Sequence, residues 1–253
     1  FDTSLESTDG IKPLEGAVAT LRPDEGRFGG AVAVEEGGRL EYPQSIWNHA
    51  TGTFAAWVKT PIDVSTDRVL TLQWASDEVG PDTRFGIRMN TSGRFVVLYG
   101  SATLTTADSY NDGEWHHIAL TWVDGTADVH VYVDGERIAS ADGPISVNNP
   151  GGRYGGVIPI GHRGYTYNDQ WWNGLIDELL ILPYAATDAE IKAWYAMGAP
   201  FVDSNEVLAH QTEAGVVEIG PKGIVMTPQN YPQRSMHLDG AQLAFWDKNN
   251  LPS

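Results

Sequence analysis

From Thr53 to Ser140 the chain is a succession of short runs in which apolar and polar residues alternate, with turn dipeptides between them. Successive side chains on a β-strand point to opposite faces, so this period of two restricts the region to antiparallel strands. The expected strands are Thr53–Lys59, Arg68–Trp74, Arg84–Asn90, Arg94–Tyr99, His116–Val123, Asp128–Val133 and Arg137–Ala141. Asp124-Gly125 and Asp134-Gly135 lie between runs, and Asp-Gly suits a two-residue hairpin whose central positions both need positive φ. Those two turns predict a three-stranded meander. One helix is expected, Asp188–Met197, with Thr187 as N-cap and Glu190 completing a capping box; Gly198 and Pro200 stop it. Ile191, Trp194 and Tyr195 share one face, so the helix should plug the side of the sheets.

The segment Asn173–Tyr184, NGLIDELLILPY, sets two adjacent carboxylates in an otherwise apolar run. Read as a regular strand, Leu175, Asp177, Leu179 and Ile181 share one face and Ile176, Glu178, Leu180 and Leu182 the other, and both faces look buried. An ionised carboxylate there must meet a cation, backbone N–H groups or an arginine, because uncompensated burial costs more than a marginally stable fold supplies. A bound metal ion and a buried structural hydrogen bond are the two solutions.

Acidic residues outnumber basic ones 33 to 16, a formal net charge of −17, which repels nucleic acid and anionic membranes. No stretch approaches the roughly 20 apolar residues needed to span a bilayer, so membrane insertion is not expected. With no cysteine, disulfides, thiol catalysis and thiolate zinc sites are excluded, while calcium, an oxygen-binding ion, is not. Nine Trp and ten Tyr exceed the usual needs of one core, which sends part of them to a binding surface. The first residue is Phe1, and the chain is expected to be a piece of a longer polypeptide or a processed one. After Pro200 only short apolar runs follow, Val216–Ile219, Ile224–Thr227, Met236–Leu238 and Gln242–Trp246. They are too short to bury a core of their own, so the expected organisation is a main domain over 1–200 and a short-stranded extension over 201–253 for oligomerisation or linkage.

Three stretches resemble the laminin-G-like jelly-roll domains of the concanavalin A-like lectin/glucanase superfamily. They are Gly26–Val34 (GRFGGAVAV), Gly113–Ala139 (GEWHHIALTWVDGTADVHVYVDGERIA) and Asn173–Ile181 with the helix after it. The resemblance covers about residues 1–200 and implies an all-β fold, a two-sheet antiparallel jelly-roll sandwich with one short C-terminal helix. It also implies a calcium ion at the sandwich edge, held by the Asp of the G-x-I-D-E strand, here Asp177, with Asp2 and the Gly29 carbonyl as candidate further ligands. His116 and His117 are implied to be structural. His116 is expected to bond a neighbouring carbonyl from the core face, with His117 on the opposite face.

Glucanases of this superfamily place catalytic carboxylates along one strand in an E-x-D-x-x-E arrangement. Asp177 and Glu178 are adjacent and point to opposite faces, so the paired geometry of glycoside hydrolysis is not supplied locally and no catalytic residue is expected. A binding role fits better. Gly151–Asn173 gathers Tyr154, His162, Arg163, Tyr165, Tyr167, Trp171 and Trp172 among glycines and polar groups, and aromatic platforms edged by polar groups suit the C–H faces and hydroxyls of a glycan. The expected function is a non-catalytic carbohydrate-binding or adhesion module at an extracellular or virion surface. The alternatives are a glycan-processing enzyme or its appendage, and a purely structural virion protein. The extension weakly resembles phage tail and receptor-binding proteins, which implies a homo-oligomer, a trimer.

Overall fold

The computed structural model describes residues 4–6, 11–14, 17–62, 65–74, 84–147, 157–163 and 170–197, and the strand backbones 208–212, 215–220, 223–228, 234–239 and 242–247. The strands of the first part are β1 (Thr20–Arg22), β2 (Ala31–Ala33), β3 (Leu40–Pro43), β4 (Thr51–Lys59), β5 (Arg68–Trp74), β6 (Arg84–Met89), β7 (Phe95–Tyr99) and β8 (Ala102–Thr105). They are followed by β9 (Trp115–Val123), β10 (Val129–Val133), β11 (Glu136–Ser140), β12 (Val157–Ile160), β13 (Leu175–Leu182) and helix α1 (Asp188–Met197). The alternating runs thus form strands within one or two residues of their expected ends.

One sheet has seven strands in the order β1-β2-β13-β4-β9-β10-β11, another four in the order β5-β6-β7-β8, and β12 pairs with β3. All these pairings are antiparallel. Alternation turns Phe54, Ala56 and Val58 of β4, Ile118, Leu120 and Trp122 of β9, and Val129, Val131 and Val133 of β10 inward. They join Phe85, Ile87 and Met89 of β6 and Phe95, Val97 and Tyr99 of β7 in a single buried cluster. Trp122 links the sheets through ring contacts with Phe85 at 5.4 Å and Tyr99 at 6.4 Å. Each large apolar side chain buried in this way contributes about 1.5–3 kcal/mol, which identifies the inter-sheet layer as the source of stability.

The outer face of the seven-stranded sheet is covered as well. Ala55 and Ala119 are cross-strand partners, and their small side chains leave a seat for the helix. Ile191 fills it beside Tyr132 and Ala186, with Leu180 and Trp194 packed against the group. The capping box forms: the Thr187 amide donates to Glu190 Oε2 at 2.8 Å and the Glu190 amide donates to Thr187 Oγ1 at 3.3 Å.

Three expectations are corrected. At Asp134-Gly135 both residues have positive φ, 50° and 80°, as a two-residue hairpin requires. At Asp124-Gly125 only the glycine does, at 76°, and residues 124–128 form a longer connection. Its carboxylate explains this, because Asp124 Oδ1 accepts the Val147 amide at 2.7 Å and the Tyr99 hydroxyl at 3.2 Å. Second, β13 does not alternate regularly. Asp177 lies opposite Trp57 and Leu180 opposite Ala55, so residues 178 and 179 together face Ala56 in a β-bulge, with Glu178 at φ 46°. Ile176, Leu179 and Ile181 contact the inter-sheet core, whereas Asp177 lies beside Trp57 on the outer face. Third, His116 bonds carboxylates instead of a carbonyl: Nδ1 lies 2.8 Å from Asp134 Oδ2 and Nε2 lies 3.1 Å from Asp112 Oδ1.

The chain divides into two compact units, Phe1–Gly198 and Ala199–Ser253. Within the second, β14 (Leu208–Thr212), β15 (Gly215–Gly220), β16 (Gly223–Pro228), β17 (Arg234–Asp239) and β18 (Gln242–Asp247) pair in chain order as an antiparallel meander. Among the described helices, none is long and apolar enough to cross a membrane, which says nothing of a β-barrel.

Candidate functional site

The three sequence stretches that resemble one family converge in space. Asp177 on β13 pairs with Trp57 on β4, and Trp57 pairs with His117 on β9, so the three residues form a row across neighbouring strands on the outer sheet face. The glycine-rich segment Gly26–Gly30 meets this row from above.

Asp177 is fully buried. Its Oδ2 accepts the Phe28 amide at 3.0 Å and its Oδ1 accepts the Glu178 amide at 2.8 Å, an approach that the left-handed backbone of Glu178 permits. Burial pushes its carboxyl above the usual range, while the amides of Phe28, Glu178 and Arg27 pull the other way. Of the two solutions open from sequence, the described contacts are backbone hydrogen bonds. The loop closes on itself through the Gly26 amide and the Gly29 carbonyl at 2.9 Å, with Gly29 at φ 71°. Gly26 has no space for a side chain: a Cβ there would lie 2.6 Å from the Gly30 carbonyl oxygen and 2.8 Å from Asp177 Oδ2.

That convergence of a carbonyl and a carboxylate oxygen is the chemistry a calcium ion takes, but the ion wants six to eight oxygens. Among the described residues no group of three or more His, Cys, Asp or Glu is placed to hold a metal. Gly29 offers a carbonyl already engaged with Gly26, and Asp2 lies outside the described residues.

The row is capped by aromatic rings. Phe28 meets Trp57 edge to face at 5.9 Å, and Tyr195 of α1 stacks on Trp57 at 5.5 Å. The Arg27 guanidinium lies 4.8 Å from the Phe28 ring centroid and 5.0 Å from that of Trp57. His117 is enclosed below, 5.5 Å from Trp57, with Nδ1 buried and without a hydrogen-bond partner among the described residues. Burial pushes its pKa down to about 4, against the opposing charge of Asp134. The preceding residue behaves oppositely, since the hydrogen bonds and charges of Asp134 and Asp112 outweigh burial and raise the His116 pKa.

The expected ligand cluster of residues 151–173 is only partly brought together. Tyr154, Tyr165 and Tyr167 lie outside the described residues. Trp172 is not a surface platform: it is fully buried, parallel to Phe95 at 6.5 Å, with its indole N–H donating to the Leu175 carbonyl. The apolar interior claims it because its one polar atom finds an acceptor there. His162 is also withdrawn from the surface, with Nε2 3.2 Å from the Leu40 carbonyl oxygen and a pKa lowered by burial. Arg163 and Trp171 stay at the rim, half-buried. Trp171 Nε1 donates to the Gly38 carbonyl at 3.1 Å, which fixes its ring. Close in sequence to that carbonyl, Arg39 holds the buried Glu41 carboxylate through Nε at 2.8 Å and Nη2 at 2.5 Å. Arg27, Phe28, Trp57 and Tyr195 were not among the sequence candidates. They are far apart in the chain, and the one signal was the Arg-Phe pair set between Gly26 and Gly29.

Comparison with known proteins agrees with this architecture. Two curated relatives are proteins named Sushi, von Willebrand factor type A, EGF and pentraxin domain-containing protein 1. The one from Rattus norvegicus is 35% identical over 106 residues and the one from Mus musculus 33% over 105. Each match spans 38% of this chain and 3% of the relative's length. Among solved structures, the fold is shared with Trypanosoma rangeli sialidase in complex with the inhibitor DANA, with TM-score 0.52, 18% identity, and coverage of 76% of this chain and 34% of that one. It is also shared with the binding domain of botulinum neurotoxin serotype D/C, with TM-score 0.55, 14% identity, and coverage of 96% and 60%. A laminin-G family model described as concanavalin A-like lectin/glucanases superfamily matches residues 35–192, and the chain belongs to that superfamily.

Proposed function

We propose that the first unit is a non-catalytic carbohydrate-binding module that recognises a cell-surface or extracellular glycan, working at an extracellular or virion surface. One observation carries the reading: Trp171 is only half-buried at the rim while its indole N–H is tied to the Gly38 carbonyl and its backbone bridges to His162, so its ring is held in place with Arg39 and Arg163 next along the chain from these two contacts. A fixed ring loses little entropy on stacking against a sugar. The same fold occurs in a sialidase that holds an inhibitor and in the binding domain of a toxin, which supports a ligand-binding use of it. The carboxylates described above favour binding over hydrolysis, because Asp177 is engaged by amides, Glu41 by Arg39, and Asp188 by Arg137 and Tyr132. Neither Asp177 nor Glu41 is therefore available as one of the two opposed carboxylates of glycoside hydrolysis.

A glycan array with the whole chain tests the reading. Retention of a defined glycan that falls at least about tenfold in Trp171→Ala, a loss of about 1.4 kcal/mol, supports it; failure to retain any glycan ends it. Release of reducing ends from a retained glycan would replace binding by hydrolysis.

Calcium forms part of the proposal, with Asp177, Gly29 and Asp2 as its ligands. The convergence of oxygens over Gly26 favours it, and a melt with and without chelator decides it. A ligand bound to the folded state alone raises the midpoint, so an unchanged midpoint removes the ion.

A second reading, a self-associating part of a larger assembly such as a phage tail, is favoured by one observation. The edge strands β14 and β18 of the second unit pair with one neighbour each among the described strands, and open edges are templates for pairing with another chain. Sedimentation of a trimer supports that reading and a monomer ends it.

A further inference from the structure

The aromatic cap above Asp177 has features that packing alone does not require. Arg22, Arg39, Arg88 and Arg137 each pair with a carboxylate. Arg27 is exposed and pairs with none among the described residues, in a chain with about twice as many acids as bases. Its guanidinium is instead laid over Phe28 and Trp57. Tyr195 stays 38% exposed although its ring stacks on Trp57. Beneath them the row is rigid: the Phe28 amide is held by Asp177, and Trp57 and His117 are buried within the sheet face. The loop that carries Arg27 is therefore positioned before any ligand arrives.

We propose that Arg27, Phe28 and Tyr195 form a second recognition surface, selective for an anionic sugar carrying a carboxylate or a sulfate. The planar fork of a guanidinium takes two oxygens of such a group at once, and stacking on aromatic rings holds the fork in one plane. The rings beside it receive the apolar face of the sugar. An anion is the ligand that the rest of the molecule would repel, so the charge of Arg27 must be met locally and in fixed geometry. This inference rests on the carbohydrate-binding reading and adds a ligand class and a surface distinct from Trp171.

The test uses the whole chain and four immobilised probes: sialyllactose and oligogalacturonate for carboxylates, a heparin oligosaccharide for sulfates, and lactose as the neutral control. Polyglutamate is added as an acidic peptide. Arg27→Gln is expected to weaken retention of at least one acidic glycan by about tenfold or more, with an unchanged melting midpoint because the side chain is exposed. Arg27→Lys, which keeps the charge without the fork, is expected to fall between. Loss confined to the carboxylate probes or to heparin identifies the anionic group. Acidic-glycan retention that Arg27→Gln does not change, retention of lactose alone, or a preference for polyglutamate over every acidic glycan overturns the inference. Retained lactose, or an acidic glycan released by Trp171→Ala, leaves the binding reading standing in those cases. Failure to retain any glycan overturns both.

Discussion

Two buried carboxylates in the first unit are stabilised in different ways. Asp177 is met by the amides of Phe28 and Glu178, donors fixed in the backbone. Glu41 is met by Arg39, a long side chain with 43% of its surface in water. The amides cannot leave without unfolding the loop and the bulge, so Asp177 holds backbone geometry. Arg39 is a side chain with part of its surface in water, so solvent reaches its end of the pair. The difference separates a carboxylate that builds a surface from one that lies beside a surface open to water.

Asp177→Ala is the severest way to break this comparison. It strands two amides in a dry setting and releases Gly26–Gly30, so a loss of about 3–5 kcal/mol is expected in a denaturant melt. Asp177→Asn keeps one acceptor and should cost less. A loss below about 1 kcal/mol for Asp177→Ala would show that the amides find water instead.

The neighbouring histidines sharpen the comparison through pH. The folded-state pKa of His117 is depressed by burial to about 4 from the ordinary imidazole value of 6.5, so the folded state resists its protonation. Stability is therefore lost as pH falls below the unfolded value, by roughly 2 kcal/mol between pH 7 and pH 5. His116 has a raised pKa, so its contribution is fully present below its unfolded pKa and is lost as pH rises through the folded one. His117→Phe keeps a ring beside Trp57 and removes the unpartnered Nδ1. It should be close to neutral at pH 7 and abolish most of the loss at pH 5, as read by melts at the two pH values.

Arg39→Met strands the buried Glu41 carboxylate and is expected to cost about 2 kcal/mol, less than Asp177→Ala because removing the half-exposed arginine opens a path for water. An equal cost for the two variants would erase the distinction. The smallest effect is expected at the helix start, where Glu190→Ala opens an exposed capping box at about 0.5–1 kcal/mol.

Much of this architecture is legible from residue order. The strands follow from alternation, and Thr187 with Glu190 marks the helix start because capping is a contact between near neighbours. Asp177 stands out because its apolar setting requires compensation. What compensates it is not legible, since the donor at Phe28 lies 149 residues away. The bulge is hidden for a different reason. Glu178, a residue that disfavours positive φ, occupies the left-handed region where a glycine would have given warning. Trp172 misleads as well: it follows a rim residue in a polar, glycine-rich stretch, yet its ring is buried in the core and its amide donates to the Gly161 carbonyl at 2.7 Å. Aromatic density within one stretch directed attention to residues 151–173, whereas the rings of Phe28, Trp57 and Tyr195 meet only once the chain has folded.

The extra residue in β13 also sets a phase. Upstream of it the strand presents Asp177 to the loop, and downstream it presents Leu180 to the helix and Ile181 to the interior. Flattening the bulge into regular alternation while keeping every residue would invert every position from Leu180 onward, turning Ile181 toward the helix and Leu180 toward the interior. A single irregular step thus lets one strand serve three different neighbours in turn.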